Sequence, residues 1–282
     1  MNEFKYKVAV ITGAASGIGR SLAMNLARKG CYLAIVDVDI QGLKKTAEII
    51  ENMHAKTLTE IVDVADQEQV YDFAEKVVKE YGQVDLVINN AGVALRGTLE
   101  EVSYEEFEWL MGINFWGVVY GSKAFLPYLK QQEEAHLVNV ASVQGIFTNP
   151  GVGPYSSSKF GIRGFTMALC QELRGTSVKV SCVYPGGIKT NIVLNARDAV
   201  NAMPEKTNEE AHEVFTKSIA GTSADKAAKK IIRGIKKNKS RILIGSDAYV
   251  FDMMARLFPV YWQKFMGILP DFLSRLGSEK SK

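Results

Sequence analysis

Hydrophobic residues in this chain occur mostly as short runs rich in β-branched side chains, separated by longer stretches with helical periodicity. The runs occupy residues 8–11, 33–36, 57–62, 84–88, 137–140, 178–183 and 241–244. Amphipathic helical patterns lie between most of them, at residues 21–29, 41–53, 67–81 and 104–130. Because strands that alternate with helices form βαβ units, the pattern predicts an α/β protein with a parallel sheet covered on both faces.

Two segments depart from this alternation, and both follow the sixth predicted strand. Residues 187–221 begin within a Pro-Gly-Gly turn and are polar and loosely helical, whereas residues 246–277 are rich in methionine and aromatic side chains. No flexible linker divides the first 185 residues, so we expect residues 1–282 to form one domain. We interpret the first segment as a substrate loop, with Gln144 and Val193 near the mouth of the cleft. We interpret the second as an apolar helical extension.

The extension carries an apolar helical face made by Val250, Phe251, Met254, Leu257 and Phe258. Charged residues interrupt every apolar run, so none reaches the ~20 residues of a membrane span. A lid over the cleft or a subunit contact is favoured, and peripheral contact with a membrane or lipid stays open as an alternative. An apolar substrate is favoured over a sugar in either case.

Composition and charge narrow the classes of function. Hydrophobic residues at 47% and charged residues at 23% are ordinary for a globular protein. A net charge of +3 does not indicate a nucleic-acid partner. The three cysteines lack CxxC spacing and the three histidines are far apart, so neither a disulfide framework nor a metal site is expected. The N-terminal apolar run lacks the features of a signal peptide, and a cytoplasmic location is expected.

A glycine-rich turn follows the first predicted strand. Residues 12–19 read Thr-Gly-Ala-Ala-Ser-Gly-Ile-Gly and lead into a helix. Glycines allow the backbone to approach a pyrophosphate closely, and a helix N-terminus offers it free N–H donors. The spacing is GxxxGxG and not the GxGxxG fingerprint, and a simple connecting turn is the alternative. The predicted contacts with a dinucleotide are Gly13, Ser16, Gly17, Ile18 and Gly19.

Asp37 ends the second predicted strand about twenty residues further on, where a carboxylate can bond the hydroxyls of an adenosine ribose. Such a carboxylate would repel a 2′-phosphate, and neither Val38 nor Asp39 offers a compensating cation. NAD is therefore favoured over NADP as the cofactor. A strand-end aspartate that only begins a turn is the alternative.

Tyr155 and Lys159 are four residues apart, which places them on one face of a helix, and Ser142 ends a predicted strand thirteen residues earlier. A free tyrosine has a pKa near ~10, and a neighbouring cation stabilises its phenolate. We therefore expect Lys159 to lower the pKa of Tyr155. Alone, the pair is also typical of a packed ring beside a solvated charge.

Seven elements occur in register over about residues 5–190: the glycine turn, Asp63-Val64, Asn89-Asn90-Ala91-Gly92, Asn114, Ser142, Tyr155-x-x-x-Lys159, and Pro185-Gly186-Gly187-Ile188-Lys189-Thr190. In this arrangement the chain resembles the single-domain form of the short-chain dehydrogenase/reductase family. The resemblance implies a Rossmann-type doubly wound parallel sheet of about seven strands with helices on both faces.

The resemblance also implies roles for particular residues. Tyr155 would be the general acid/base, Ser142 would polarise the substrate oxygen, and Lys159 would bind the nicotinamide ribose. Asn114 would hold a water in a proton relay, although a polar break in a packed helix is the alternative. The remaining cofactor contacts would be Asp63 and Val64 at the adenine, Asn89 and Ala91 at the adenosine ribose, and Pro185, Ile188 and Thr190 at the carboxamide.

The implied reaction is reversible hydride transfer between NAD and a secondary alcohol or ketone. A dinucleotide-binding sensor or scaffold without turnover is the alternative, and the intact Ser, Tyr and Lys set disfavours it. An epimerase or dehydratase of the family's extended branch is disfavoured by the GxxxGxG spacing. A homodimer or homotetramer is expected, because the helices around residues 104–130 and 154–174 carry broad apolar faces.

Overall fold

A seven-stranded parallel sheet forms the centre of the structure, a computed structural model that describes residue 1, residues 3–200 and residues 207–261. Its strands are β1 Val8–Thr12, β2 Tyr32–Asp37, β3 Thr57–Ile61, β4 Leu86–Asn89, β5 Ala135–Val140, β6 Val178–Pro185 and β7 Arg241–Ile244. They lie in the order β7-β6-β5-β4-β1-β2-β3, and each neighbouring pair is parallel. All seven predicted runs are therefore strands of one sheet, and the predicted α/β fold is confirmed.

Helices cover both faces of the sheet. In chain order they are α1 Gly17–Ala27, α2 Ile40–Glu51, α3 Gln67–Tyr81, α4 Tyr104–Met111, α5 Gly117–Leu129, α6 Gly153–Glu172, α7 Asn208–Val214, α8 Ala224–Lys236 and α9 Ser246–Leu257. Helices α1, α2 and α8 share one buried cluster with Ala9 and Ile11 of β1. Helices α3, α5 and α6 share another with Val8 and Val10, because alternate side chains of a strand point to opposite faces.

Several helix boundaries follow from capping side chains. Asp39 accepts a hydrogen bond from the backbone of Gly42 at the start of α2, and Asp66 does the same for Gln69 at α3. Ser103 and Glu106 form a capping box at α4. Such caps satisfy N–H groups that the first turn of a helix leaves unpaired. The capping residues therefore fix where α2, α3 and α4 begin.

The predicted helix over residues 104–130 is interrupted. A π-helical segment, Gly112–Trp116, lies between α4 and α5, and the N–H of Gly117 bonds the carbonyl of Gly112. One wide turn of this kind leaves the helix continuous while it shifts the register of the side chains. The interruption includes Asn114, which is fully buried.

The predicted substrate loop is attached to the rest of the fold at two places. Ile188–Lys189 pairs with Thr222–Ser223, and Arg197–Asp198 pairs with Leu95–Arg96. The Arg96 guanidinium also donates two hydrogen bonds to the Asp198 carboxylate, at 2.7 and 3.0 Å. Residues 201–206 of the predicted loop lie outside the described residues.

The C-terminal extension begins with α9, and its predicted part beyond Tyr261 lies outside the described residues. Phe251 stacks on Phe147 with ring centroids 4.1 Å apart, and Met254 packs in the same cluster. Val250 is 48% and Leu257 64% exposed, so the predicted apolar face is split between packing and solvent. Over the residues that the structure describes, no helix has the length and hydrophobicity needed to cross a bilayer.

Candidate active site

A cavity of about 360 Å³ lies at the carboxyl edge of the central strands. Parallel strands point their carboxyl ends to the same edge, and open α/β sheets bind ligands in the crevice there. Fourteen of the predicted site residues line this cavity. They are Gly13, Ser16, Gly17, Ile18, Asp37, Asp63, Val64, Ala91, Ser142, Tyr155, Lys159, Pro185, Ile188 and Thr190.

The glycine turn leaves the N-terminus of α1 open toward the cavity. Gly13 has a φ of 67°, and a methyl group added there would lie 2.8 Å from the Cα of Ala91. Ser16 is the N-cap of α1, but its side chain makes no capping hydrogen bond. The first N–H groups of α1 therefore have neither a helical partner nor a capping side chain. This arrangement fits the pyrophosphate of a dinucleotide, which such donors bind.

Gly19 does not line the cavity, although it belongs to the same turn. A methyl group at Gly19 would overlap the carbonyl oxygen of Gly13. Gly19 is therefore required for close packing of α1 under the turn, which is a different requirement from contact with a ligand.

The Asp37 carboxylate lies beside the glycine turn and is held by backbone groups. One oxygen accepts from the N–H of Ala15 at 2.9 Å, and the other accepts from Asp39 at 3.0 Å. Arg20 of α1 is already bound, with its Nε donating to Thr46 at 2.8 Å. Among the described residues that line the cavity, the only lysine or arginine is Lys159. The cavity wall at Asp37 thus carries negative charge, and none of the described lysines or arginines lines that wall.

Asn89 and Asn90 have different environments from those expected. The Asn89 side chain lies in the core and donates to Asn139 at 2.8 Å and to Ser122 at 3.1 Å. It does not line the cavity. Asn90 does, and its side chain donates to the carbonyls of Thr12 and Gly13 at 2.9 and 3.1 Å. Asn90 therefore stabilises the glycine turn through these hydrogen bonds. The Asn-Asn pair was noted in the sequence, but this role was not predicted.

Three of the predicted catalytic side chains, those of Ser142, Tyr155 and Lys159, line the same cavity. Ser142 follows β5, and its hydroxyl accepts from the N–H of Gln144 at 3.2 Å. Tyr155 lies in the first turn of α6 and lines the same cavity as Ser142. Lys159 lies one turn later, with its ammonium 5.5 Å from the centre of the Tyr155 ring and only 3% of the residue exposed. The three groups can together hold and protonate one oxygen atom.

Burial changes the pKa values of both titrating groups in this centre. It raises the pKa of Tyr155 above its ordinary value, and the hydrogen bond from Ser142 offsets only part of this rise. Burial also lowers the pKa of Lys159 to about 8. The net shift at Tyr155 is upward because desolvation disfavours its charged form, and the expectation that Lys159 lowers the pKa of Tyr155 stays a prediction.

Asn114 does not line the cavity but supports the loop beside it. Its side-chain oxygen accepts from the N–H of Val93 at 2.8 Å, and its amide nitrogen donates to the carbonyl of Val93 at 3.0 Å. A methyl group at Gly92 would lie 3.1 Å from Asn114 Oδ1 and 3.2 Å from Lys159 Nζ. Gly92 therefore separates Asn114 from Lys159 without filling the space between them.

The two predicted substrate contacts near the mouth lie outside the cavity lining. The Gln144 side chain accepts a hydrogen bond from Ser156 of α6 at 3.2 Å. Val193 is partly exposed on the loop, while its neighbours Asn191, Ile192 and Asn195 line the cavity. The other lining residues that sequence reasoning did not single out are Ala15, Val38, Asp39, Val62, Gly92, Val93, Ile113, Val140, Ala141, Gly186 and Phe215.

The residues that the structure describes offer no candidate site for a metal ion. Within residues 1, 3–200 and 207–261, no group of three or more His, Cys, Asp or Glu side chains could hold a metal ion. The polar side chains that line the cavity carry hydroxyl, amide, ammonium and carboxylate groups, the carboxylates being those of Asp37, Asp39 and Asp63.

Known proteins of one family match most of this chain. A family model described as short chain dehydrogenase matches residues 7–201. SadH of Mycobacterium tuberculosis, provisionally named an oxidoreductase, is 41% identical over 268 residues, which cover 94% of this chain and 96% of SadH.

Solved structures agree with this match. A short chain dehydrogenase/reductase from Burkholderia phymatum in complex with NAD is 31% identical, with a TM-score of 0.83 over 91% of this chain and 95% of that one. An alcohol dehydrogenase from Thermococcus sibiricus complexed with 5-hydroxy-NADP is 29% identical, with a TM-score of 0.70 over 85% of this chain and 96% of that one. This chain therefore belongs to the short chain dehydrogenase/reductase family of oxidoreductases, whose members bind nicotinamide dinucleotides.

Proposed function

We propose that this protein is an NAD-dependent oxidoreductase that interconverts a secondary alcohol and the corresponding ketone. The observation that supports this proposal is that one cavity joins Tyr155, Ser142 and Lys159 to the glycine turn and Asp37. Bound nicotinamide supplies or accepts the hydride, and the protein contributes orientation and proton transfer. The residues that would hold the dinucleotide are those of the turn, Asp37, and the segment from Pro185 to Thr190.

The proton step belongs to Tyr155. In ketone reduction, its neutral phenol donates a proton to the carbonyl oxygen while the Ser142 hydroxyl donates a hydrogen bond to the same atom. In alcohol oxidation, the Tyr155 phenolate accepts the hydroxyl proton. Because burial raises the pKa of Tyr155, the phenol is the form present at neutral pH, and this is the form that ketone reduction requires.

NAD is the cofactor that the ribose end of the cavity favours. The Asp37 carboxylate can accept hydrogen bonds from two ribose hydroxyls, whereas it would repel a 2′-phosphate. Val38 and Asp39 line the same region and supply no positive charge. A relative solved with NAD and another solved with an NADP derivative show that the family accommodates both nucleotides.

An apolar substrate is supported by apolar side chains that line the cavity, among them Val93, Ile113, Ile192 and Phe215. Contact with apolar side chains contributes binding free energy in proportion to the surface removed from water. The class of substrate that we propose is therefore a ketone or secondary alcohol with hydrocarbon substituents.

The test is a screen of alcohols and ketones of graded chain length, each assayed with both nucleotides. Oxidation and reduction are monitored by the absorbance of the reduced nicotinamide. We expect turnover with NAD and abolition of turnover in Tyr155→Phe, which removes the proton but keeps the ring. Equilibrium binding of NAD to Tyr155→Phe should stay close to that of the wild type, because the phenol makes no contact that holds the turn.

The pH dependence gives an independent check on the same assignment. Reduction requires the neutral phenol and should fall as pH rises through the pKa of Tyr155, whereas oxidation requires the phenolate and should increase with pH. Retention of activity in Tyr155→Phe would remove the proposed acid/base. Binding of NAD without turnover of any substrate in the wild type would instead support a sensor or scaffold.

A further inference from the structure

We infer that Asp247, in the first turn of α9, is a positioning residue for the nicotinamide end of the cofactor site. Its Oδ2 accepts a hydrogen bond from the N–H of Gly187 at 2.6 Å. Asp247 does not line the cavity, but Pro185, Gly186 and Ile188 do. The carboxylate therefore acts from behind the turn that forms this wall of the cavity. This inference rests on the proposed function, which assigns that wall to the nicotinamide.

The space around the carboxylate is formed by two glycines. A methyl group at Gly186 would overlap Asp247, and its three nearest atoms would all belong to that carboxyl group. A methyl group at Gly245 would also overlap Asp247 Oδ1, and Gly245 has a φ of 95°, which favours glycine. Both positions that face the carboxylate are thus occupied by the smallest residue, and a side chain at Gly186 would displace Asp247.

Helix α9 is a fixed support for this contact. The N–H of Gly186 bonds the carbonyl of Ile244 at 2.8 Å, which continues the pairing of β6 with β7. One turn beyond Asp247, Phe251 stacks on Phe147 in the segment that follows the catalytic Ser142. Further along, the Asp252 carboxylate pairs with Arg241 and Arg256. The helix is therefore anchored independently of Asp247.

A functional consequence follows from the position of the contact. The turn at residues 185–187 must present its backbone in one conformation to bind the nicotinamide end of a dinucleotide. A hydrogen bond that holds this conformation beforehand reduces the ordering that binding would otherwise require. Loss of the bond should therefore weaken the cofactor more than it affects the rate of the chemical step.

The first experiment compares Asp247→Ala, Asp247→Asn and the wild type by NAD titration, using calorimetry, together with KM for NAD and kcat. A hydrogen bond to a charged group corresponds to about a tenfold or larger change in affinity, and we expect Asp247→Ala to weaken NAD binding by that factor. The amide oxygen of Asp247→Asn can still accept from Gly187, so this variant should recover most of the affinity. In both variants kcat should change less than KM.

The matched control is Asp252→Ala, which removes a carboxylate from the same helix and releases Arg241 and Arg256. This variant should lower the melting temperature but leave the affinity for NAD within about twofold of the wild type, as expected for an independent site. Equal weakening in Asp252→Ala, or an affinity within that range in Asp247→Ala, would overturn the positioning role.

A double-mutant cycle tests the contact itself. Gly186→Ala should weaken NAD binding in the wild type because its methyl group displaces the carboxylate, yet it should have little further effect in the Asp247→Ala background. Additive effects would contradict the inference. NAD binding is measured without turnover. A wild-type protein that binds NAD but converts no substrate would therefore contradict the proposed function, while the effect of Asp247 on NAD binding could still be measured.

Discussion

The Asp37 carboxylate has a fixed orientation because two backbone N–H groups bind it from opposite sides, those of Ala15 and Asp39. Each oxygen uses one acceptor site on these bonds and keeps capacity for a further donor. The residue therefore combines a local structural role at the end of β2 with the ability to accept ribose hydroxyls. Its substitution should affect both stability and nucleotide choice.

Asp37→Ala should narrow the preference for NAD over NADP, because it removes both the acceptor for the ribose and the repulsion of a 2′-phosphate. We expect the ratio of kcat/KM values for the two nucleotides to fall by about tenfold or more, the factor that corresponds to one charge-assisted hydrogen bond. Steady-state kinetics with each nucleotide measures this ratio. Asp66→Ala, which removes a helix cap outside the cavity, serves as the control, and an unchanged ratio in Asp37→Ala would refute the ribose contact.

Some of these assignments could be reached from the sequence, and others could not. The proposed roles of Gly13 and Asp37 could be predicted locally, because Gly13 directly follows β1 and Asp37 ends β2. The choice between Asn89 and Asn90 depends on which side chain points into the core, and Asn89 finds Asn139 of β5 and Ser122 of α5 there. The pKa of Tyr155 depends on burial by distant segments, which spacing along the chain does not reveal.

The π-helical segment Gly112–Trp116 is hydrogen-bonded to the loop beside the cavity that contains Val93. Its Asn114 forms paired hydrogen bonds with the backbone of Val93 and a third with Ser158 of α6, at 3.2 Å. Segments of this type often occur at functional sites, because the wide turn places a side chain where a regular helix would not. The position of Lys159 beside Gly92 depends on this arrangement.

Asn114→Ala should reduce both stability and turnover. It leaves the N–H and C=O of Val93 without their partner, and such a loss typically costs about 1–3 kcal/mol for each buried group. The measurements are urea unfolding and kcat with a substrate found in the screen. Ser158→Ala removes only the third partner and should have the smaller effect on kcat, whereas equal effects would show that the contact with Val93 is not the important one.

The elements themselves were predictable to different degrees. Strands β1 to β7 were each predicted, because most of them are hydrophobic runs buried on both faces, although β3 and β7 at the sheet edges are only partly buried. A break in the helix at Asn114 was implied by the family resemblance, but the hydrophobic pattern of residues 104–130 alone did not reveal it, because that pattern remains helical through the π-helical segment. The support that α9 gives to Gly187 was also missed, since Asp247 and Gly187 are separated by 60 residues and meet only through the pairing of β6 with β7.

Exposed apolar side chains include one group on α6 with the adjoining π-helical segment and another group on α9. On α6 and the adjoining π-helical segment they include Phe160, Met167 and Trp116, at 40%, 54% and 47% exposure. On α9 they include Tyr249 and Met253, at 50% and 55%. Large exposed apolar surfaces often mark contacts with a partner. The expected dimer or tetramer would bury the first of these surfaces.

Two methionines provide a matched comparison of these surfaces. Met167→Glu should shift the protein toward monomers, because it places a charge in the expected subunit contact, whereas Met253→Glu should leave the assembly unchanged. Sedimentation velocity over a range of concentrations measures both variants. Dissociation in Met253→Glu alone would move the interface to α9, and a wild-type monomer would refute the expected oligomer.

The two short strand pairs that attach the substrate loop also limit which of its residues can be exchanged without loss of the attachment. Residues 191–196 lie between Ile188–Lys189, paired with Thr222–Ser223, and Arg197–Asp198, paired with Leu95–Arg96. Three of the cavity-lining residues, Asn191, Ile192 and Asn195, belong to this interval. We therefore expect that substrate range can be redesigned by grafting these six consecutive residues from a related protein, without disturbing either attachment point or the segment from Pro185 to Thr190.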